Sequence, residues 1–242
     1  MFEKKFIFIL LTIIFPVVYA QSELDSQEIE VNLQGSIELE FQTPQSRVDY
    51  FTADLRIFPK DSYREDVLEF KLRHEPSASI VMKDNIEYTW DDDVESINFG
   101  YDAKVKTWNR IFQIPEDIPL SSISLMKEHV KYVRETEIVD INSEIREKAF
   151  DITRGSTALY DVVFKLAEWT RTNIKYDLNT LTEEAVQKSS WVLENRFGVC
   201  DEITNLFVSF LRSMNIPVRY VVGIAYSDAV PEGWAPHAWA EV

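Results

Sequence analysis

Apolar and polar residues alternate in short runs between residue 28 and about residue 115. The alternating runs begin at Ile29, Ile37, Phe51, Phe70, Ile86 and Ile97, and turn formers such as Pro44, residues 59–62 and Pro76 lie between some of them. A period of two places successive side chains on opposite faces of a strand. Many short strands without intervening helices are typical of an antiparallel sandwich. The pattern therefore predicts a β-rich, sandwich-like domain over residues 21–135.

Beyond about residue 140 the apolar spacing becomes helical. One predicted helix carries its apolar residues on a single face, namely Leu159, Val162, Val163, Leu166 and Trp169. Thr180 and Glu183 have the spacing of a capping box before a helix predicted near residues 182–195. A second domain over residues 136–242 should therefore mix helices and strands, and the predicted fold class is α+β.

A third predicted helix begins at Cys200, just after Gly198. Its first turn contains Asp201 and Glu202, which the positive end of a helix dipole favours. An apolar face continues to Met214. Two strands are predicted after this helix: a buried one over residues 216–226, and one over residues 237–242 whose alternation puts His237, Trp239 and Glu241 on the same face.

The chain of 242 residues has a formal net charge of −16. An acidic surface repels phosphate backbones and anionic membranes, so no nucleic-acid partner is expected. The simplest interpretation of the charge is that it keeps the protein soluble.

The first 20 residues have the composition of a secretory signal peptide. Lys4 and Lys5 precede an apolar run over residues 6–18, and Ala20 ends a cleavage-like sequence. The sequence predicts export, a mature N-terminus at Gln21, and a secreted or extracytoplasmic location. An uncleaved N-terminal anchor is the alternative.

Cys200 is the only cysteine, and the histidines are His74, His129 and His237. None of the histidines has metal-ligand spacing to Cys200. A cysteine at a helix N-terminus has its thiolate stabilised by the dipole and by free N–H groups, which also suit an oxyanion. A histidine on a neighbouring strand could take the thiol proton, and the pair would need no cofactor. The alternative is a packed cysteine and a solvated histidine.

Three further residues bear on whether Cys200 could be reactive, namely Trp191, Asp201 and Glu202. Trp191 is a candidate oxyanion donor or groove residue, with core packing as its alternative. Acids beside a thiol oppose thiolate formation. In an active site, the helix would therefore have to turn Asp201 and Glu202 away from the sulfur.

Three segments in order resemble the core of the transglutaminase-like superfamily: Gly198–Glu202 with its apolar helix, residues 216–221, and His237–Val242. The resemblance covers roughly residues 155–242. It implies a papain-like arrangement in which a helix packs on an antiparallel sheet, with Cys200 as nucleophile and His237 as base. It also implies a third catalytic residue, an aspartate, which would lie beyond Val242, so we expect the chain to be a fragment.

The family resemblance implies acyl transfer at amide bonds of a protein or peptide substrate, through a thioester. Water as acceptor would give hydrolysis, and an amine would give transglutamination. A non-catalytic binding or scaffold module of the same fold is the alternative. The residues also leave open a membrane anchor beyond Val242.

Overall fold

The structure is a computed structural model that describes residues 25–40, 43, 47–91, 95–110, 113–114, 117–178, 186–226 and 233–242. The predicted signal peptide and the capping box at Thr180 and Glu183 lie outside these residues. In the described part of the chain, no helix is long and apolar enough to cross a membrane.

In the described residues, six strands precede four helices, and four further strands lie among and after the helices. Their bounds are β1 Ser26–Glu38, β2 Phe51–Leu55, β3 Glu65–Glu75, β4 Ser79–Met82, β5 Ile86–Trp90, β6 Ser96–Trp108, α1 Ser143–Ile152, α2 Leu159–Asn173, β7 Lys175–Tyr176, α3 Ser189–Asn195, β8 Phe197–Gly198, α4 Cys200–Ser213, β9 Arg219–Tyr226 and β10 Trp234–Glu241. Short 3-10 helices span Leu120–Ser122 and Lys127–Val133.

Contacts divide the chain into two compact units. One comprises Met1–Ala53, Pro59–Ile80 and Tyr88–Ile111, and the other comprises Asp54–Phe58, Val81–Glu87 and Phe112–Val242. The predicted division after residue 135 concerns independent folding and stays a prediction.

The first half of the chain contains two three-stranded sheets, in the orders β1-β6-β3 and β2-β5-β4. In the first sheet β6 is central and pairs antiparallel with both neighbours. Tyr88, Trp90 and Tyr101 are fully buried, as their apolar–polar alternation predicts. The Tyr88 hydroxyl donates to the Gly100 carbonyl at 2.8 Å, which satisfies the polar end of a buried ring. The strands agree with the sequence, whereas the sandwich-like packing stays a prediction.

The second unit is built around α4, the helix that begins at Cys200. Helices α1, α2 and α3 pack against it. Their shared core includes Ile145, Ala149, Val162, Leu166, Val192, Leu206, Phe210 and Leu211. The helices predicted at Leu159 and at Cys200 are confirmed. The helix predicted near residues 182–195 begins only at Ser189 in the described residues, since Val186, Gln187 and Lys188 are not helical.

Strands β9 and β10 form an antiparallel pair that places His237 opposite Gly223. The prediction of a fully buried strand over residues 216–226 is wrong. The strand begins at Arg219, and its side chains alternate between exposed and half-buried. Val222, for example, is 49% exposed. Its β-branched composition indicated a strand but did not indicate which face would be covered.

Candidate active site

Cys200 begins α4, and the residues just before it are held by neighbouring backbone. Strand β8 pairs in parallel with β7, which places Tyr176 beside Gly198. Glu202, in the first turn of α4, accepts the Val199 N–H at 2.9 Å and the Gln187 N–H at 3.2 Å. The Glu202 side chain is therefore turned away from the sulfur, as an active site requires, and it fixes the path of the chain into the helix.

Asp201, by contrast, is not turned away. The Cys200 thiol donates to the Asp201 carboxylate at 3.3 Å. Burial is the main cause that raises the pKa of the Cys200 thiol, and the Asp201 carboxylate raises it further. The backbone N–H groups of Ala238 and Asp201 face the thiol and oppose that rise, but they do not reverse it. At neutral pH the sulfur is therefore a protonated thiol.

Strand β10 meets the N-terminal turn of α4 at Ala238. The Ala238 N–H faces the Cys200 thiol, and the Ala238 carbonyl accepts from the Thr204 hydroxyl at 3.3 Å. The N–H and C=O of one strand residue point to the same side, so α4 covers that edge of β10 at this position. The Ala238 side chain is only 4% exposed. The predicted nucleophile and the residue after the predicted base therefore lie side by side.

His237 itself lies on the exposed face of β10 with Trp239 and Glu241. Among the described residues, its imidazole has no hydrogen bond or ion pair, and none joins it to the Cys200 thiol. On the same face Arg219 forms an ion pair with Glu241 across the two strands. The Trp239 ring covers Gly223, where an added Cβ would lie 2.6 Å from the indole.

Trp191 lies on α3 and packs edge-on against Phe197, with their ring centroids 5.1 Å apart. It is half-buried at the border of the second unit's core. This position matches the packing role that was its alternative interpretation.

Two tyrosines that the sequence analysis did not single out lie beside the thiol. Burial raises the pKa of Tyr176, and the charge of a Cys200 thiolate adds to that rise, while the Cys200 backbone N–H, which faces the Tyr176 hydroxyl, opposes it. Burial also raises the pKa of Tyr220, followed by the negative charges of Asp201 and Cys200, and its hydroxyl hydrogen-bonds to Asp201. No spacing rule in the sequence connects either tyrosine to Cys200.

Within the described residues, no group of three or more His, Cys, Asp or Glu side chains could hold a metal ion. The site therefore consists of a buried thiol, a carboxylate, two hydroxyls and the backbone N–H groups around them. Such a set can exchange protons and stabilise an oxyanion.

Comparisons with known proteins cover both sequence and fold. Residues 146–242 match the family model of the transglutaminase-like superfamily. The fold is similar to the crystal structure of a putative cysteine protease from Cytophaga hutchinsonii, with a TM-score of 0.66, 14% identity, and coverage of 90% of this chain and 73% of that chain. The periplasmic domain of TgpA from Pseudomonas aeruginosa matches with a TM-score of 0.39, 17% identity, and coverage of 70% of this chain and 59% of that chain. No curated protein matches the sequence.

Proposed function

Because residues 146–242 belong to the transglutaminase-like superfamily, as their sequence motifs predict, we propose that the protein is an exported cysteine enzyme that transfers acyl groups at amide bonds. The Cys200 sulfur adds to the amide carbonyl carbon, and the thiol proton passes to His237. The tetrahedral intermediate collapses as the C–N bond breaks, and His237 returns the proton to the leaving amine. Water or a second amine then attacks the thioester and releases the thiol.

One observation carries this proposal: the Cys200 thiol at the start of α4 lies against the backbone of Ala238, the residue after His237. The start of α4 supplies backbone N–H groups that no carbonyl within the helix accepts. Such groups can hold the oxyanion that forms when sulfur attacks a carbonyl. The position of the thiol beside these N–H groups and beside the residue that follows His237 supports the proposed roles of nucleophile, anion site and base.

Because the pKa of the Cys200 thiol is raised, the sulfur carries its proton before the attack begins. A thiol that is protonated at neutral pH has to lose its proton as the carbon–sulfur bond forms, so the base acts during the attack. His237 is exposed and, among the described residues, has no hydrogen bond or ion pair, so its side chain is free to change rotamer.

A second candidate function is a non-catalytic binding module of the same fold. It is favoured by the hydrogen bond that the thiol donates to the Asp201 carboxylate at 3.3 Å, since the S–H group then points to a carboxylate and not to an imidazole. In that case Cys200 would be a packed, unreactive side chain.

Labelling of the thiol distinguishes the two functions. Separate samples of the full-length protein are treated with an alkyne-tagged iodoacetamide or with p-nitrophenyl acetate, and the modified residues are mapped by mass spectrometry. An enzyme gives an acetyl thioester on Cys200 that is lost in Cys200→Ala and forms far more slowly in His237→Gln. A binding module gives no acetyl thioester, even where iodoacetamide reaches the thiol.

The choice between water and amine is tested on a protein substrate. Casein is incubated with the enzyme, with and without dansylcadaverine, and Cys200→Ala is the control. New peptides without dansyl incorporation indicate hydrolysis, and fluorescent intact casein indicates amine transfer. Failure of both in a protein that forms the acetyl thioester would mean that casein is not accepted, and would leave acyl transfer to smaller amides.

Export is proposed from residues 1–20, which lie outside the described residues. The expected mature N-terminus is Gln21, and N-terminal sequencing of material from the extracytoplasmic fraction checks it. An intact Met1 in that material would contradict cleavage, and recovery only from the cytoplasm would contradict export.

A further inference from the structure

We propose that Tyr176 is a further catalytic residue, whose hydroxyl donates a hydrogen bond to the oxyanion formed when the Cys200 sulfur attacks a carbonyl. This inference rests on the proposed function and adds a named donor to it. Acyl transfer by a thiol gains much of its rate from donors that are already aimed at the developing negative charge.

The backbone holds Tyr176 beside the start of α4. Lys175 donates its N–H to the Arg196 carbonyl at 2.8 Å, and Asp177 donates its N–H to the Gly198 carbonyl at 3.0 Å. These two hydrogen bonds flank Tyr176 on both sides and pair it with Gly198. The position of Tyr176 is therefore fixed relative to the turn that presents Cys200, without any contribution from its own side chain.

The Tyr176 hydroxyl faces two groups that define an oxyanion position. It lies close to the Cys200 backbone N–H and close to the Cys200 sulfur. When sulfur bonds to a carbonyl carbon, the carbonyl oxygen must lie within reach of the same backbone N–H. The hydroxyl therefore lies at, or directly beside, the place that this oxygen will take.

The Tyr176 hydroxyl can act as a hydrogen-bond acceptor or as a donor. In the present structure its oxygen faces the Cys200 N–H. With substrate bound, the carbonyl oxygen takes that N–H, and the hydroxyl proton is free to turn toward the carbonyl oxygen. The ring is more than half exposed, so a small shift of the side chain is open to it. The raised pKa of Tyr176 keeps the donated proton on the hydroxyl at neutral pH.

The other two aromatic donors nearby are less suited to this role. The Tyr220 hydroxyl is engaged with Asp201, and burial of its ring limits its movement. Trp191 packs edge-on against Phe197. The Tyr176 hydroxyl, by contrast, faces the Cys200 backbone N–H that an oxyanion would use.

The test compares two reactions of the same thiol in the full-length protein. Acetylation by p-nitrophenyl acetate passes through a tetrahedral oxyanion, whereas alkylation by iodoacetamide displaces iodide at a saturated carbon and forms none. Second-order rate constants for both are measured on the wild type, Tyr176→Phe and Tyr160→Phe, after subtraction of the Cys200→Ala background. Tyr160 is an exposed tyrosine on α2 that stacks on Phe164, and it serves as the matched control.

We expect Tyr176→Phe to lower the acetylation rate constant by at least about tenfold, since loss of one oxyanion donor costs about 10²–10³ in a serine protease. The alkylation rate constant should change by less than about twofold, because a shared effect would reflect thiol ionisation instead. Tyr160→Phe should change neither. Unchanged or faster acetylation in Tyr176→Phe, or an equal loss in both reactions, would overturn the proposal. A wild type that alkylates at Cys200 but never forms the acetyl thioester would instead overturn the proposed function, and this inference with it.

Discussion

Glu202 occupies the space that a side chain at Gly198 would need, since an added Cβ at Gly198 would lie 2.4 Å from the Glu202 Cβ. Glu202 is only 4% exposed, and its carboxylate holds the backbone N–H groups of Val199 and Gln187. The glycine before the cysteine is therefore a packing requirement of the helix start. Any change that moves Glu202 also moves the turn that presents Cys200.

Replacement of Gly198 by alanine should destabilise the protein through this overlap. We expect a loss of about 1–3 kcal/mol in the free energy of unfolding, the usual cost of forcing extra volume into a packed site. Urea denaturation measures it. Gly155→Ala is the comparison, because nothing lies within 4 Å of its added Cβ and only its φ of 81° opposes the change. If the loss comes from overlap with Glu202, alkylation or acetylation of Cys200 should be slower in Gly198→Ala and unchanged in Gly155→Ala. Equal changes in stability and in Cys200 reactivity for the two variants would contradict this steric explanation.

Glu202→Gln should weaken the same turn by a different route. The amide keeps the size of the side chain, but it presents an NH₂ group to one of the two backbone N–H groups that the carboxylate now accepts, the buried one of Val199 or the partly buried one of Gln187. An unsatisfied buried donor costs about 1–3 kcal/mol. Thermal or urea unfolding measures the loss, with the exposed Glu194→Gln on α3 as control. Equal stability of the two variants would mean that the hydrogen bonds of Glu202 do not contribute to the fold.

Helical periodicity predicted α2 and α4 well, because each has a continuous apolar face against a core. It did not predict how deeply α4 is buried. Its polar residues also lie inside, because their side chains bind backbone carbonyls of other segments: Thr204 binds Ala238, Ser209 binds Asp140, and Arg212 binds Arg134 at 2.8 Å and Val218 at 3.1 Å. A sequence pattern classes these residues as a solvated face, since the carbonyls that satisfy them come from distant parts of the chain.

The residues of the candidate site were likewise only partly predictable from the sequence. Cys200 and His237 could be singled out because few residue types perform nucleophilic and base chemistry. Tyr176 could not, since its proximity to Cys200 depends on the two-residue pairing of β7 with β8, which is too short for any periodicity. Likewise, the sequence showed two acids beside the cysteine, but only the hydrogen bonds show that Glu202 turns away from the sulfur and Asp201 turns toward it.

His237→Gln separates catalysis from stability. Loss of a general base typically lowers the rate by about 10²–10⁴, and acetylation of Cys200 should fall by that order. The melting temperature should stay within error, because the His237 side chain is exposed and, in the described residues, unpaired. His129→Gln, a change at a histidine in the 3-10 helix Lys127–Val133, is the matched control. If acetylation persists at the wild-type rate, another group must accept the thiol proton.

Asp201→Asn removes the carboxylate that accepts a hydrogen bond from the Cys200 thiol. Burial is the largest cause of the raised Cys200 pKa, and the Asp201 carboxylate adds to it through a hydrogen bond and a negative charge. Both Asp201 contributions favour the neutral thiol, so their removal should lower the Cys200 pKa. More thiolate is then present at any given pH, and the pH profile of iodoacetamide alkylation should move toward lower pH. The profile should still lie above that of a free thiol, because burial remains.

The measurement is the alkylation rate of Cys200 between about pH 6 and pH 10, a range that brackets the ordinary cysteine pKa. Asp151→Asn is the control, since that carboxylate pairs with Arg154 on the exposed side of α1. An unmoved profile in Asp201→Asn would show that the carboxylate does not hold the thiol proton in solution. A move toward higher pH would reverse the sign expected from the loss of a neighbouring negative charge. It would mean that asparagine stabilises the neutral thiol better than aspartate does, and that Asp201 acts on Cys200 through the position of the helix start and not through its charge.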